Sequence, residues 1–141
     1  MCAAFELNSR VIRPGKVVRV WTGMGTNGKF VWAGFARNEI AGWWKKKGWE
    51  PVDVPAEKFA ERSNRTRQLA WDAVPEGLVV RGVIEANVEV PLLKIVTRAS
   101  SAEELQRFEH PRMPLIEPPL FSAEPLGFED DGSSTMQPEL F

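Results

Sequence analysis

The sequence predicts an α+β protein: a mixed, mostly antiparallel sheet that twists or curls into an open barrel, flanked by short helices. Three observations lead to this fold class. Segments rich in β-branched and aromatic residues recur along the chain, as is typical of strands. A helix-start signature, Ser101 with Glu104, follows the last of them. From Glu117 onward the composition turns to Pro, Gly, Ser and acidic residues without periodicity, which predicts a disordered C-terminal tail.

The first two strands are predicted over residues 16–21 and 29–35, where valine, phenylalanine and tryptophan predominate. The segment between them contains the spacing G-x-G-x-x-G. That spacing marks a dinucleotide site only where a helix follows it directly, and here a strand pattern follows. We therefore predict a hairpin turn in which Asn27-Gly28 supplies the positive φ angles.

Two helices are predicted next. Residues 38–47 form a short helix, and residues 55–73 form a longer one in which Pro55 suits the first turn. The apolar residues of the longer helix that we expect to be buried are Phe59, Leu69 and Trp71.

The last predicted elements are two strands and a capped helix. Residues 78–86 and 88–98 carry apolar runs that favour central positions in a sheet. The serine at 101 and the glutamate three residues later form a capping box. The helix that they open must end near His110, because Pro111 follows and disfavours helical backbone before it.

Charge divides the chain into a globular domain over residues 1–116 and an acidic tail over residues 117–141. Residues 1–116 hold all 18 basic residues and 13 of the 19 acidic ones, which gives that part a net charge of +5. A net positive charge is compatible with a polyanionic partner such as nucleic acid. The alternative is an ordinary solvated surface that carries charges of both signs.

Composition also excludes several classes of protein. One Cys and one His rule out a disulfide framework and make a metal site built from protein ligands improbable, so we expect no cofactor. The first ten residues have no apolar signal region and no stretch is long enough to span a membrane. We expect a cytoplasmic monomer.

The single cysteine, Cys2, directly follows Met1. Removal of Met1 would place an α-amine and a thiol on neighbouring carbons of one residue. Such a pair condenses with an aldehyde: the amine forms an imine, and the thiol closes on it as a five-membered thiazolidine. The alternative is that Cys2 is an inert, small hydrophobic residue, as most free cysteines are.

His110 belongs to the segment His110-Pro-Arg-Met-Pro114, between a helix end and a chain stiffened by proline. A histidine fixed in this way suits general acid–base work, which needs good positioning and a pKa near neutrality. A lone histidine is also common as an ordinary surface or core residue.

These residues resemble a known family. Cys2 followed by Phe5, the strand Lys94-Ile-Val-Thr-Arg-Ala-Ser100, and the His110-x-Arg-Met-Pro segment are similar to the SOS-response-associated peptidase family, whose members process abasic sites. The resemblance implies that the N-terminal cysteine captures the ring-opened aldehyde of an abasic site in single-stranded DNA as a thiazolidine crosslink. The chain would be a short, divergent and phage-type member, with Ala3 and Ala4 where the family has Gly and Arg.

The resemblance also implies a set of catalytic residues. His110 would assist opening of the sugar ring, and an acid would shuttle protons; Gly82-Val-Ile-Glu-Ala86 makes Glu85 the candidate acid. The family's asparagine segment has two imperfect counterparts. One is Phe35-Ala-Arg-Asn-Glu-Ile40, which lacks the asparagine at the matching place, and the other is Ser63-Asn-Arg-Thr66, which offers Asn64.

Several residues are candidates for DNA contact. Arginine binds phosphate oxygens bidentately, which suggests Arg37, Arg65 and Arg112. Trp43 and Trp44 precede three lysines, and aromatic side chains beside cations can stack bases and attract phosphates. The alternative is that these tryptophans belong to the core and that the lysines are simply solvated.

The last five residues, Gln137-Pro-Glu-Leu-Phe141, resemble the peptide with which bacterial proteins bind the sliding clamp. In that peptide the glutamine forms hydrogen bonds, and the leucine and phenylalanine fill an apolar pocket, so Gln137, Leu140 and Phe141 are the candidate contacts. Two other functions remain open. One is a non-catalytic accessory protein that binds DNA or the clamp, and the other is a cysteine-dependent peptidase.

Overall fold

A computed structural model describes residues 2–22, 27–85 and 91–121 of the chain, and the architecture is α+β as predicted. In chain order the elements are β1 (Cys2–Leu7), β2 (Arg10–Ile12), β3 (Val17–Trp21), β4 (Asn27–Arg37), a 3₁₀ helix (Asn38–Ile40), α1 (Ala41–Lys46), β5 (Glu50–Val54), β6 (Lys58–Arg62), β7 (Leu69–Ala73), β8 (Val79–Glu85), β9 (Leu92–Ala99), α2 (Ala102–Phe108), β10 (Arg112–Pro114) and β11 (Ile116–Glu117). None of the helices in the described ranges is both long and apolar enough to cross a membrane.

Five strands form a closed ring of backbone pairings in the order β9-β4-β3-β5-β8, with β8 pairing back to β9. Four of these pairings are antiparallel, and the β4–β9 pairing is parallel. The short strands β10 and β11 extend the outer edges of β9 and β8. The predicted mixed, mostly antiparallel sheet is thereby confirmed, in the form of a small barrel.

A second, antiparallel sheet has the order β2-β1-β6-β7 and shares its core with the barrel. Phe5 of β1 packs against Trp32 of β4, with ring centroids 4.7 Å apart, and both side chains are fully buried. Phe59 of β6 packs against Phe108 at the end of α2, with centroids 5.9 Å apart. Burial of such aromatic side chains fixes the second sheet, and with it the start of the chain, on the barrel.

The predicted helix over residues 55–73 is wrong, because this region forms the hairpin β6–β7. Its apolar residues do not repeat at helical spacing, and the polar segment Ser63-Asn-Arg-Thr-Arg67 forms the turn. Ser63 donates its backbone N–H to Gln68, and Arg67 adopts a positive φ of 66°. Turn chemistry therefore prevailed over the single helix-start signal at Pro55.

The other predicted elements are confirmed with adjusted ends. The hairpin β3–β4 is present, but Asn27 and Gly28 already pair with Trp21 and Val20, so they belong to the strand and not to the turn. Both bonds of the predicted capping box form: Ser101 Oγ accepts from the Glu104 N–H at 3.1 Å, and the Glu104 carboxylate accepts from the Ser101 N–H at 2.9 Å.

A buried ion pair connects the barrel to the segment that follows it. Asp53 on β5 and Arg81 on β8 are almost inaccessible, and their side chains meet at 2.7 Å. Arg81 also donates from Nε to Glu117 at 2.6 Å and from a terminal nitrogen to the Pro118 carbonyl at 3.1 Å. A buried guanidinium with this many acceptors offsets much of its desolvation cost.

The same carboxylate binds the backbone beyond β11. Leu120 and Phe121 donate their N–H groups to the two oxygens of Asp53, at 3.0 and 2.6 Å. Contacts with the folded body therefore continue to residue 121, four residues past Glu117, where the tail was predicted to begin. Residues 122–141, including the clamp-binding-like peptide, lie outside the described residues.

These contacts predict different stabilities for two truncated chains. The reference is a chain that ends at Phe121, which keeps every contact described above. A chain that ends at Ile116 should lose about 3 to 5 kcal/mol, because Asp53 and Arg81 stay buried without their partners from the removed segment. Equilibrium urea unfolding measures both, and equal stability of the two truncated chains would contradict this account.

Candidate functional site

The site is built on the pairing of β1 with β6, which places Cys2 directly opposite Glu61. Both side chains are completely buried. A register shift between Cys2 and Ala4 interrupts the regular ladder at this point. Such bulges redirect a side chain, and they are common beside functional residues.

The thiol of Cys2 is neutral at physiological pH. Its pKa is raised well above its usual range, first by burial and second by the negative charge of Glu61. Sγ contacts the Ala4 carbonyl oxygen at 3.1 Å, which satisfies the thiol as a donor. Because the thiolate is the reactive form, Cys2 in this environment needs a base to accept its proton before it can attack.

Glu61 is a carboxyl group suited to accept that proton. Burial raises its pKa from 4.5 to about 7, against the opposing effect of the positively charged amino terminus. A group with a pKa near the working pH can both give and accept a proton, as general acid–base catalysis requires. Sequence reasoning did not identify Glu61, since it placed this residue inside the incorrect helix.

His110 follows α2 and is held on both sides. Its Nδ1 accepts the backbone N–H of Arg112 at 3.1 Å, and its carbonyl accepts the Ser100 hydroxyl at 2.7 Å. Burial lowers the pKa of its imidazole, and the charge of the amino terminus lowers that pKa further. The ring is therefore neutral near pH 7, with its proton on Nε2, where it can be donated.

The pairing of β1 with β6 brings Glu61 to Cys2. His110 is tied to the same strand less directly, because the residue before it binds the turn that follows β6. The positive charge of the amino terminus is one cause of the pKa shifts of all three groups.

Glu109 connects the two segments that carry Glu61 and His110. Its carboxylate accepts from the Ser63 hydroxyl at 2.8 Å and from Arg65 Nε at 2.7 Å, and its carbonyl accepts the Asn64 N–H at 2.9 Å. Glu109 has a positive φ of 55°, an unfavourable conformation for a residue with a Cβ. The three bonds compensate for this conformation and set the backbone directly before His110.

The remaining predicted catalytic residues lie as follows. Asn64 is exposed in the β6–β7 turn, where its backbone binds Glu109, two residues beyond β6 and close to the Glu61 segment. Glu85 ends β8 on the barrel and forms an ion pair with Lys94 at 3.2 Å. The carboxylate that faces Cys2 is that of Glu61.

Two of the predicted phosphate-binding arginines pair with carboxylates. Arg112 binds both oxygens of Glu39, at 2.7 and 2.8 Å, and Arg65 binds Glu109 while most of its side chain stays exposed. Arg37 is exposed at the end of β4. Arg65 and Arg112 flank the segments next to His110, so a phosphate there would compete with acidic side chains for them.

The tryptophan–lysine segment divides into a buried and an exposed part. Trp44 is 4% exposed, and its indole N–H donates to the Arg37 carbonyl, which makes it a core residue. Trp43 is 52% exposed and packs edge-to-face on Trp49, with centroids 5.6 Å apart. Lys47 lies over Trp43 and Lys94 over Trp49. In this segment the exposed aromatic ring is therefore that of Trp43, which packs on the partly buried Trp49.

Within the described ranges, no group of three or more His, Cys, Asp or Glu side chains could hold a metal ion. Comparisons with protein-family models, with curated proteins and with solved structures found no match to this chain. A function must therefore be inferred from the site itself.

The raised pKa of Glu61 predicts a specific pH dependence of stability. Folding favours the protonated acid, so this contribution is complete below pH 4.5 and is lost as the pH rises through about 7. The side chain of Glu61→Gln cannot ionise. Between pH 4.5 and a pH above 7, the free energy of unfolding of this variant should therefore rise relative to that of the wild type by on the order of 3 kcal/mol. Urea unfolding from pH 4 to 8 measures this difference.

A matched control for that experiment is Glu39→Gln. The pKa of Glu39 is lowered to about 2 by its hydrogen bonds from Arg112, so its contribution is lost only as the pH falls below the usual range of a carboxyl group. The stability difference between Glu39→Gln and the wild type should therefore stay nearly constant from pH 5 to 8, and it changes with the opposite sign below that range. Identical profiles for the Glu61 and Glu39 variants would refute the assignment of Glu61 as a group that titrates near neutrality.

The backbone of Glu109 gives a second prediction. Glu109→Ala and Glu109→Gly both remove the carboxylate, but only glycine adopts a positive φ without cost. Both variants should be less stable than the wild type. The free energy of unfolding of the glycine variant should be higher than that of the alanine variant by about 1 kcal/mol or more. Since His110 is the only histidine, its ring signal in proton NMR should shift in both. An unchanged signal would show that Glu109 does not position His110.

Proposed function

We propose that this chain captures the aldehyde of an abasic site in single-stranded DNA through Cys2, after removal of Met1, as a thiazolidine. The observation that carries the proposal is the strand pairing that sets the buried carboxyl group of Glu61 directly opposite the thiol of Cys2. After removal of Met1, Cys2 would carry both an amine and a thiol, and the neighbouring carboxyl group could transfer protons for both.

The proposed reaction balances without a cofactor. An abasic sugar opens when the C1′ hydroxyl loses its proton and O4′ gains one. His110 would accept the hydroxyl proton on Nδ1, which gives up its bond from the Arg112 N–H, and would donate its Nε2 proton to O4′. The Cys2 amine adds to C1′, and the resulting hydroxyl leaves as water to give an imine. Sγ then adds to C1′, while the thiol proton passes through Glu61 to the nitrogen. One water is released, and nothing is oxidised or reduced.

The electrostatics of the site favour this sequence. Burial keeps the thiol protonated, so it would not react before the imine forms. The pKa of Glu61, about 7, lets the same group donate a proton to the departing hydroxyl and accept one from the thiol. Glu61 therefore takes the role that the sequence assigned to Glu85.

Charge and exposed aromatic area support DNA as the substrate. The exposed ring of Trp43 could stack on a base, and the three consecutive lysines beside it could attract phosphates. Arg65 and Arg112 could exchange their acidic partners for phosphates next to the site. Residues 137–141 would bring the protein to replication forks by docking on a sliding clamp. If Met1 is retained, this docking role would be what remains, as in a non-catalytic accessory protein.

Incubation with a single-stranded oligonucleotide that carries one abasic site tests the proposal. Intact-mass measurement should show a chain without Met1 and an adduct whose mass equals protein plus DNA minus one water. The adduct should survive heating. Cys2→Ser should not form it, because its oxazolidine hydrolyses readily.

A pair of matched variants separates the two candidate acids. Glu61→Gln should slow crosslinking by roughly 10² to 10⁴-fold, the usual contribution of a general acid–base group. Glu85→Gln should leave the rate within a few-fold. The reverse result would assign the proton-transfer role to Glu85. Retention of Met1, or the absence of any adduct with the wild type, would reject the thiazolidine mechanism.

A further inference from the structure

The segment bound to the barrel and the clamp-binding-like peptide have nearly the same sequence. Glu117-Pro-Pro-Leu-Phe121 and Gln137-Pro-Glu-Leu-Phe141 share the proline at the second position and the Leu-Phe pair at the end. Glutamate and glutamine at the first position have the same shape. The two copies lie 20 residues apart.

The structure shows how the first copy is held. Its backbone N–H groups at Leu120 and Phe121 bind Asp53, and its Glu117 carboxylate and Pro118 carbonyl bind Arg81. These bonds involve the main chain of the segment and the side chain of Glu117. The Leu-Phe side chains take no part in them.

Those two apolar side chains face outward. Leu120 is 57% exposed and Phe121 is 40% exposed, although the backbone that carries them is fixed on a buried ion pair. A peptide held in one conformation loses less conformational entropy on binding than a free one. The body therefore presents a Leu-Phe pair in a form suited to an apolar pocket.

We infer that residues 117–121 are a second docking element for the partner proposed to bind residues 137–141: a ring-shaped clamp with one Leu-Phe pocket in each of its identical subunits. This inference rests on the proposed clamp docking, and it is independent of the chemistry at Cys2. Two copies of one motif in one chain fit a partner that repeats one pocket.

Geometry permits both copies to bind at once. Fifteen residues separate Phe121 from Gln137, a length of chain that can span at most about 55 Å. Linking two weak sites through such a segment gives effective concentrations in the millimolar range. The overall affinity for a ring can then exceed that of either copy by up to about 10² to 10⁴-fold.

Surface plasmon resonance on an immobilised bacterial sliding clamp tests the inference with full-length chains. The variants are Leu120→Ala with Phe121→Ala, Leu140→Ala with Phe141→Ala, and all four changes together. Alanine keeps the backbone donors to Asp53, so the fold should persist, which a thermal melt verifies. Leu105→Ala, which changes an exposed leucine on α2, is the matched control.

We expect each double variant to weaken binding by at least about tenfold, the fourfold variant to abolish it, and Leu105→Ala to bind as the wild type. Unchanged affinity after replacement of Leu120 and Phe121 would overturn the inference. So would a wild-type chain that does not bind the clamp, and that outcome would also reject clamp docking by residues 137–141. Neither result would alter crosslinking to an abasic site, so the two proposals fail separately.

Discussion

The pairing of β1 with β6 determines the environment of Cys2. It sets the cysteine opposite Glu61, buries both, and brings the turn after β6 against the residue before His110. Without this pairing, the start of the chain would be a solvated segment with an ordinary thiol. The aromatic contact between Phe5 and Trp32 holds β1 on the barrel, so the site depends on packing at the centre of the protein as much as on its own polar groups.

Burial gives the site its acid–base character. Burial raises the pKa of the thiol and of Glu61 and lowers that of His110. At physiological pH the thiol and the imidazole are therefore neutral, and Glu61 is divided between its protonated and ionised forms, so it can both accept and give a proton. The positive charge of the amino terminus partly opposes the rise in the pKa of Glu61.

Local signals predicted the parts of the fold that local sequence decides. The capping box of α2, the hairpin β3–β4 and strands β8 and β9 depend on residues close in sequence, and each is present. The incorrect helix was predicted over residues 55–73 because the apolar residues there are compatible with both a helix and a strand. Pairing with a strand distant in sequence determines that the region forms strands. Glu61 could not be identified for the same reason, because its burial comes from β1, more than fifty residues earlier in the chain. An acid beside Phe59-Ala60 in a strand, on the same face as the phenylalanine, is the pattern that would have indicated it.

The order of the strands also sets a time limit on processing. Cys2 cannot be buried until β6 has been synthesised, and about 60 residues separate it from Glu61. At the usual rates of translation, this interval lasts roughly 3 to 12 s. The proposed chemistry requires removal of Met1, and an enzyme that removes it would meet an unpaired β1 during that period and a β1 paired with β6 afterwards. The proposed maturation is thus a competition between cleavage of one peptide bond and the pairing of one strand.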